Sequence, residues 1–237
     1  YLLMLDCDDM FVEGDGSLLK HLTHDAYEVW FEDGGRTYVR TQLFKSTRGF
    51  YYKGVAHEWL QDPPDVTKAR LLKETLYYMR LGGGSAGSTP EATKRKYMRD
   101  VALFRKELDR DPTDARSQYY LAQSLKDAGD TCWGTPEGDE LHLRSIVEYE
   151  KRTKMENGFW EEIFISWMQI GDLSSRMGGE LAERNVPKAY LRAIERDYRR
   201  VEPCWALARY YNGQGKHALA FAFTHMHDLP LVRPADA

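Results

Sequence analysis

The chain has 237 residues, with 33 Lys and Arg against 37 Asp and Glu and a formal net charge of −4. That length can bury a substantial core in more than one domain, and the near-balanced charge leaves no footprint for nucleic acid or an anionic membrane. Cys7, Cys132 and Cys204 are odd in number and widely spaced, which argues against a disulfide framework or zinc cluster and for a reducing, cytoplasmic setting; no apolar run approaches the roughly 18 residues of a membrane span.

The chain opens on Tyr1-Leu2-Leu3-Met4-Leu5, followed at once by Asp6-Cys7-Asp8-Asp9. A short continuous apolar run reads as a strand buried on both faces of a parallel α/β sheet, and ligands in such sheets bind beyond the carboxyl ends of the strands. Side chains alternate along extended backbone, so Asp6 and Asp8 are expected on one side with Cys7 turned away. Two such carboxylates can hold a divalent cation whose other ligands are waters and substrate phosphates. Asp-x-Asp on its own is also common in turns and caps.

Further on, Tyr27 to Phe31 and Arg36 to Phe44 alternate like strands about Asp33-Gly34-Gly35, which predicts a β-hairpin. A third extended run, Gly49 to Ala56, leads into His57-Glu58, and a helical or extended stretch follows Pro63-Pro64 as far as Arg80. Gly82 to Pro90 is rich in Gly and Ser and reads as a flexible connection. Domain boundaries are therefore expected at residues 1–81, with a linker at 82–92 and a second domain at 93–237.

After Pro90 the pattern is helical. A helix starting at Thr93 or at the Thr89-Pro90 pair is stopped near Arg110 by Asp111-Pro112, and Asp114 caps the next, which Gly129 ends. Further helices are expected at Leu141–Glu156, Trp160–Met177, Pro187–Tyr198, Glu202–Tyr211 and His217–Met226, a series that describes a helical-repeat array. The segment Asp111-Pro112-x-Asp114-Ala115-x4-Tyr120-Leu121-Ala122 is similar to the junction of two tetratricopeptide repeats.

Candidate chemistry gathers at Tyr51-Tyr52-Lys53-Gly54-Val55-Ala56-His57-Glu58-Trp59. Glu58 can take a proton from an attacking hydroxyl, His57 suits a divalent metal or a phosphate, and Tyr51, Tyr52 and Trp59 can stack on a sugar; the same residues would also pack as an ordinary aromatic strand. Arg40, Lys45, Arg48 and Lys53 can neutralise a diphosphate or simply form a solvated strand face. Gly158-Phe159-Trp160-Glu161-Glu162 fits the acidic first turn of a helix.

The order of these motifs resembles family 2 glycosyltransferases that carry a tetratricopeptide-like tail. The matching series is the strand with Asp6-Cys7-Asp8-Asp9, then Arg40-x3-Phe44-Lys45, then Tyr52-Lys53-Gly54-Val55-Ala56-His57-Glu58, then Asp111 to Ser124. It continues through Tyr149-Glu150-Lys151-Arg152, Trp160-Glu161-Glu162 and Glu202 to Tyr211. The resemblance implies a partial α/β GT-A domain followed by an all-α helical-repeat domain. It implies a metal-dependent, inverting transfer of sugar from a nucleotide-sugar donor to a glycan, lipid or protein acceptor. Asp6, Asp8 and Asp9 would then bind the donor diphosphate, Asp6, Asp8 and His57 the Mn2+ or Mg2+, and His57 and Glu58 would form the catalytic centre. It further implies that the nucleoside pocket is built by roughly 80 to 100 residues upstream of Tyr1, so that this chain alone is expected to be inactive. Members of the family often carry a basic residue where this chain has Gly82 to Ser88. A haloacid dehalogenase-type phosphatase has a similar strand followed by Asp-x-Asp-x-Thr, but here Met10 stands at the Thr position and no later strand ends in paired aspartates. The other alternative is a non-catalytic interaction protein that binds a protein partner through its repeats, its transferase domain being degenerate.

Overall fold

The computed structural model describes residues 1–6, 9–80 and 89–226. The chain separates into two compact units, Tyr1–Thr89 and Pro90–Ala237.

The first unit is built on β-strands. Its strands are β1 (Leu2–Leu3), β2 (Asp9–Glu13), β3 (Ala26–Asp33), β4 (Arg36–Phe44), β5 (Tyr51–Lys53), β6 (Trp59–Gln61), β7 (Lys68–Arg70) and β8 (Leu76–Arg80). The main sheet runs β1-β4-β3-β8-β2, with β7 also paired to β3, while β5 and β6 form a separate hairpin. β3 and β4 make the expected antiparallel hairpin, which pairs Asp33 with Arg36 across Gly34 and Gly35. Both glycines have positive φ, 54° and 85°, the backbone that a two-residue turn needs to match the strand twist. Alternation along β3 sends Tyr27, Val29 and Phe31 inward, where Leu43, Leu71, Leu76 and Tyr78 complete the core.

Two expectations are corrected here. The Tyr1–Leu5 run is not a doubly buried parallel strand: β1 pairs antiparallel with β4 alone at the end of the sheet, and Tyr1 to Leu5 are 37–49% exposed. A strand with one neighbour is covered on one side only, so apolar composition does not by itself bury it. Nor is this unit α/β among its described residues, because its helical segments, Gly16–His21 and Ser46–Arg48, are short 3₁₀ turns. Parallel pairing is confined to β3 with β7 and β8.

The second unit is a run of helices: α1 (Pro90–Arg110), α2 (Ala115–Asp130), α3 (Pro136–Arg152), α4 (Trp160–Met177), α5 (Gly179–Arg196), α6 (Glu202–Gly213) and α7 (His217–Thr224). Extensive packing joins each helix to the next in the chain, the nearest-neighbour pattern of a helical array. Asp114 caps α2 by accepting from the Arg116 and Ser117 backbones, and Thr135 caps α3 with Pro136 at its first turn. Helix α2 begins at 115, α4 at 160 and α6 at 202, a pair spacing longer than the ~34 residues of a tetratricopeptide repeat. α1 begins at Pro90, the earlier of the two expected starts, whose fixed φ suits a first helical position. Two helices differ from expectation. α3 runs Pro136–Arg152 where Leu141–Glu156 was expected, because the Thr135 cap starts it earlier. α5 begins at Gly179 and carries Pro187 in its interior, where burial of Ala182, Val186, Ala189, Tyr190 and Ala193 outweighs one lost backbone hydrogen bond.

Inside this array Arg152 is fully buried and Glu162 nearly so. Arg152 donates to Glu162 Oε2 through Nε (3.2 Å) and Nη2 (3.1 Å), and to the carbonyls of Met155 (2.7 Å) and Phe159 (3.0 Å). The acidic pair at the start of α4 is therefore structural: Glu162 meets Arg152, and Glu161 meets Arg200 at 2.8 Å.

Candidate functional site

The register of β1 on β4 delivers the aspartate cluster. Leu2 pairs with Phe44 and Leu3 with Leu43, and the Met4 amide donates to the Gln42 carbonyl at 2.9 Å; continued without a shift, this register brings Asp6 level with Arg40. The Tyr78 hydroxyl donates to the Met4 carbonyl at 2.8 Å, and the Asp9 amide donates to the Asp6 carbonyl at 3.1 Å. The chain just before Asp6 is thus tied to the sheet core. Cys7 and Asp8 lie outside the described residues, and the expected Asp6–Asp8 pair lies outside them with Asp8. Among the described residues no group of three or more His, Cys, Asp or Glu side chains is close enough to hold a metal.

His57 and Glu58 sit on the tip of the β5–β6 hairpin, in which Tyr51 pairs with Gln61, Tyr52 with Leu60 and Lys53 with Trp59. The expected strand from Gly49 to Ala56 is therefore only three residues long. It ends at Gly54, whose φ of 114° is one that side-chain-bearing residues rarely adopt, and a Cβ there would come within 3.3 Å of the Ala56 carbonyl oxygen and the Trp59 ring. His57 also has a left-handed backbone, φ 51°. Such a conformation in a non-glycine residue costs about 1–3 kcal/mol and persists where surrounding structure imposes it. Both His57 and Glu58 are exposed.

Tyr52 connects this loop to the aspartates. Its hydroxyl pKa is raised, first by partial burial and then by the charges of Asp6 and Glu58, while Arg40 pulls it down. Tyr78, buried in the sheet, is pushed well above the ordinary tyrosine value by burial and then by Asp9, Asp6 and Tyr52. Asp6, Asp9, Glu58, Arg40, Tyr52 and Tyr78 therefore share one electrostatic neighbourhood. Of His57 and Glu58, Glu58 is the one whose charge acts on Tyr52 together with that of Asp6. Tyr78 went unrecognised from sequence. Its signal is faint, an aromatic pair in the β-like run Leu76–Arg80.

The basic residues before His57 divide sharply. Lys45 and Arg48 are committed to Asp25, at 3.1 and 3.5 Å, and Asp25 also accepts from the Thr67 amide and hydroxyl at 3.1 and 3.0 Å. These contacts, the Thr67 amide foremost, hold the Asp25 carboxyl down to about 2. Arg40 instead lies over the Phe31 ring, 5.5 Å from its centroid, and Lys53 lies over Trp59 at 5.7 Å. The segment Gly82 to Ser88, where the resembled family often carries a basic residue, is outside the described residues.

The Asp6 carboxylate is exposed and makes no hydrogen bond or ion pair with the described residues. A hard oxygen donor at a strand end, open to solvent, fits a divalent cation that takes most of its ligands from water and diphosphate. Among the described residues no helix is long and apolar enough to cross a membrane. No family model and no curated protein matches the chain. Among solved structures, the crystal structure of MamA matches at a TM-score of 0.32 and 12% identity, covering 62% of this chain and 94% of that one.

Proposed function

We propose that the first unit carries the metal-side and acceptor-side groups of an inverting, metal-dependent glycosyltransferase of the family 2, GT-A type that uses a nucleotide-sugar donor. The observation that carries this reading is that Asp6 and Glu58, far apart in the chain, both raise the pKa of the Tyr52 hydroxyl on the β5–β6 hairpin that carries Glu58 at its tip. Glu58 is the base: it accepts the proton of the acceptor hydroxyl as that oxygen attacks the anomeric carbon and the bond to the donor diphosphate breaks. Asp6 and Asp8 would hold the Mn2+ or Mg2+, which supplies charge neutralisation for the departing diphosphate. His57, next to the base, positions the acceptor or a phosphate, and the exposed rings of Tyr51 and Tyr52 offer faces for a sugar. The acceptor is a glycan, lipid or protein.

The test is a donor-hydrolysis and transfer screen with the full-length protein, Mn2+ and a panel of nucleotide sugars. Glu58→Gln should lower turnover by about a hundredfold or more with donor affinity kept, as removal of a base does, and Asp8→Asn should lower it comparably by removing a metal ligand. Turnover unaffected by both variants would end the reading. A role for the second unit in holding a protein partner is favoured by a groove of about 700 Å³ between α4, α5 and α6, whose wall includes Tyr190, Trp205, Arg209 and Tyr210.

A further inference from the structure

We infer that His142 is an acid-operated latch of the helical unit, neutral while the turn between α2 and α3 is closed over it and charged only when that turn opens. The latch belongs wholly to the second unit and stands whether or not the transferase reading does.

The ring is enclosed from several sides. His142 lies on α3 with no solvent exposure, and Gly129 of α2 is so near that a Cβ there would come within 2.7 Å of the ring's Cδ2 and Nε2. The Trp133 ring, in the turn, lies against it with centroids 5.1 Å apart, and the Arg176 guanidinium of α4 lies over Trp133 at 4.8 Å. Trp133 is 47% exposed, so the turn is the side of the enclosure that faces water.

The two ring nitrogens are treated unequally. Nε2 is 3.1 Å from Asp130 Oδ1, and a carboxylate only accepts, so Nε2 carries the proton of the neutral ring. Nδ1 is left as a bare acceptor, buried and with no hydrogen-bond partner among the described residues. The second proton of an imidazolium has to go on Nδ1, where it would be a buried donor and a buried charge with nothing to accept it.

The surrounding charges do not offset this. From α2, Asp130 faces the ring but also accepts from Lys126 of the same helix at 2.8 Å and from Arg176 of α4 at 3.2 Å, so its one negative charge already answers two cations. Asp127 is paired with Lys126 at 3.1 Å, and α1 reaches α3 through Lys94, which is paired with Glu137. Burial, with Arg176 and Lys126, holds the imidazole below its ordinary value of 6.5 against the pull of Asp130. The closed form therefore takes up a proton less readily than the open one. The stability of closure is fully present above about pH 6.5 and is lost as pH falls below it, so acid draws the equilibrium toward opening. Lys126 and Arg176 also line the groove between α4, α5 and α6, so the latch and that groove share residues.

The experiment is nuclear magnetic resonance of the whole chain, following the histidine ring nitrogens and backbone amide exchange from about pH 8 to about pH 5. It is run on the unaltered protein, His142→Gln and Arg176→Gln. The unaltered His142 should be the Nε2–H tautomer at neutral pH and should titrate below 6.5. Protection of the amides at 129–135 should fall below that pH by up to about tenfold per pH unit, the limit for one proton taken up on opening. His142→Gln, whose amide can still donate to Asp130 but does not titrate, should lose this pH dependence. Arg176→Gln, which removes one of the two cations, should raise the midpoint. A midpoint at or above 6.5, or a ring that titrates while protection at 129–135 stays constant, would overturn the latch, and both are read on the unaltered chain even where a variant fails to fold.

Discussion

Replacing Glu162 by Ala tests how the helical unit is held together. Arg152 is completely buried and donates twice to Glu162, and Arg116 approaches the same carboxylate at 3.5 Å. Burial raises the Glu162 pKa against the pull of Arg152 and Arg116, so this carboxylate has already lost much of its hydration. Removing it leaves one buried guanidinium, and a second beside it, without their counter-charge. Breaking such a pair costs about 3–5 kcal/mol. At about 2–4 °C per kcal/mol for a unit of this size, that is a fall of roughly 6–20 °C in melting temperature. Far-UV circular dichroism of the whole chain isolates the effect, because all the described α-helices belong to the second unit. Glu161→Ala, which removes the exposed partner of Arg200 one position earlier, should cost less than about 1 kcal/mol. The double variant Arg152→Met, Glu162→Leu should recover most of the loss, since an apolar pair needs no desolvation of charge. A Glu162→Ala variant melting within about 2 °C of the unaltered chain would refute the reasoning, because a stranded buried cation cannot be that cheap.

Two further outcomes follow from the first unit. The Asp25 carboxyl is lowered from 3.8 to about 2, so its contribution to stability is fully present above about pH 4 and is lost as pH falls through about 2; denaturation of Asp25→Asn against the unaltered chain should show a difference that shrinks across this window, and a constant difference would contradict it. Gly54→Ala forces a side chain into a φ of 114° and to 3.3 Å from the Ala56 carbonyl and Trp59, which should cost the β5–β6 hairpin about 1–3 kcal/mol and speed amide exchange over residues 51–61, with exchange in α2 to α4 unchanged.

What could be read from the sequence was local. The hairpin at Gly34-Gly35 was legible because two adjacent glycines allow the one turn that matches strand twist, and α4 because its apolar period and acidic start agree. α5 was misread from its proline: Pro187 carries a start signal, but the apolar positions on both sides of it were already helical. β1 was misread from composition, since burial of an apolar strand depends on how many neighbours it has and not on its own residues. The candidate site was legible as a set of residue types and illegible as a place. Tyr52 feels both Asp6 and Glu58 only once the β5–β6 hairpin has formed against the sheet unit's other strands, and the capture of Lys45 and Arg48 by Asp25 depends on the segment that brings in Thr67. Such contacts are set by pairing between distant segments, which no local pattern encodes.

Both units pair charges that the fold draws away from solvent, and the exceptions bear on function. Arg152 is paired with Glu162 inside the helices, and the half-buried Asp25 with Lys45, Arg48 and Thr67 beside the sheet. These pairings are explained by the fold alone. Asp6 and Arg40 are not explained in that way. Neither side chain makes an ion pair with a described residue. Arg40 lies over the Phe31 ring, which stacks on Tyr38 and Tyr78, and Asp6 is exposed. Local agreement between sequence and structure is expected to fail first at functional sites. Asp6 and Arg40 are charges that the fold itself leaves unpaired, and the Glu58→Gln and Asp8→Asn variants test whether the region around them is such a site.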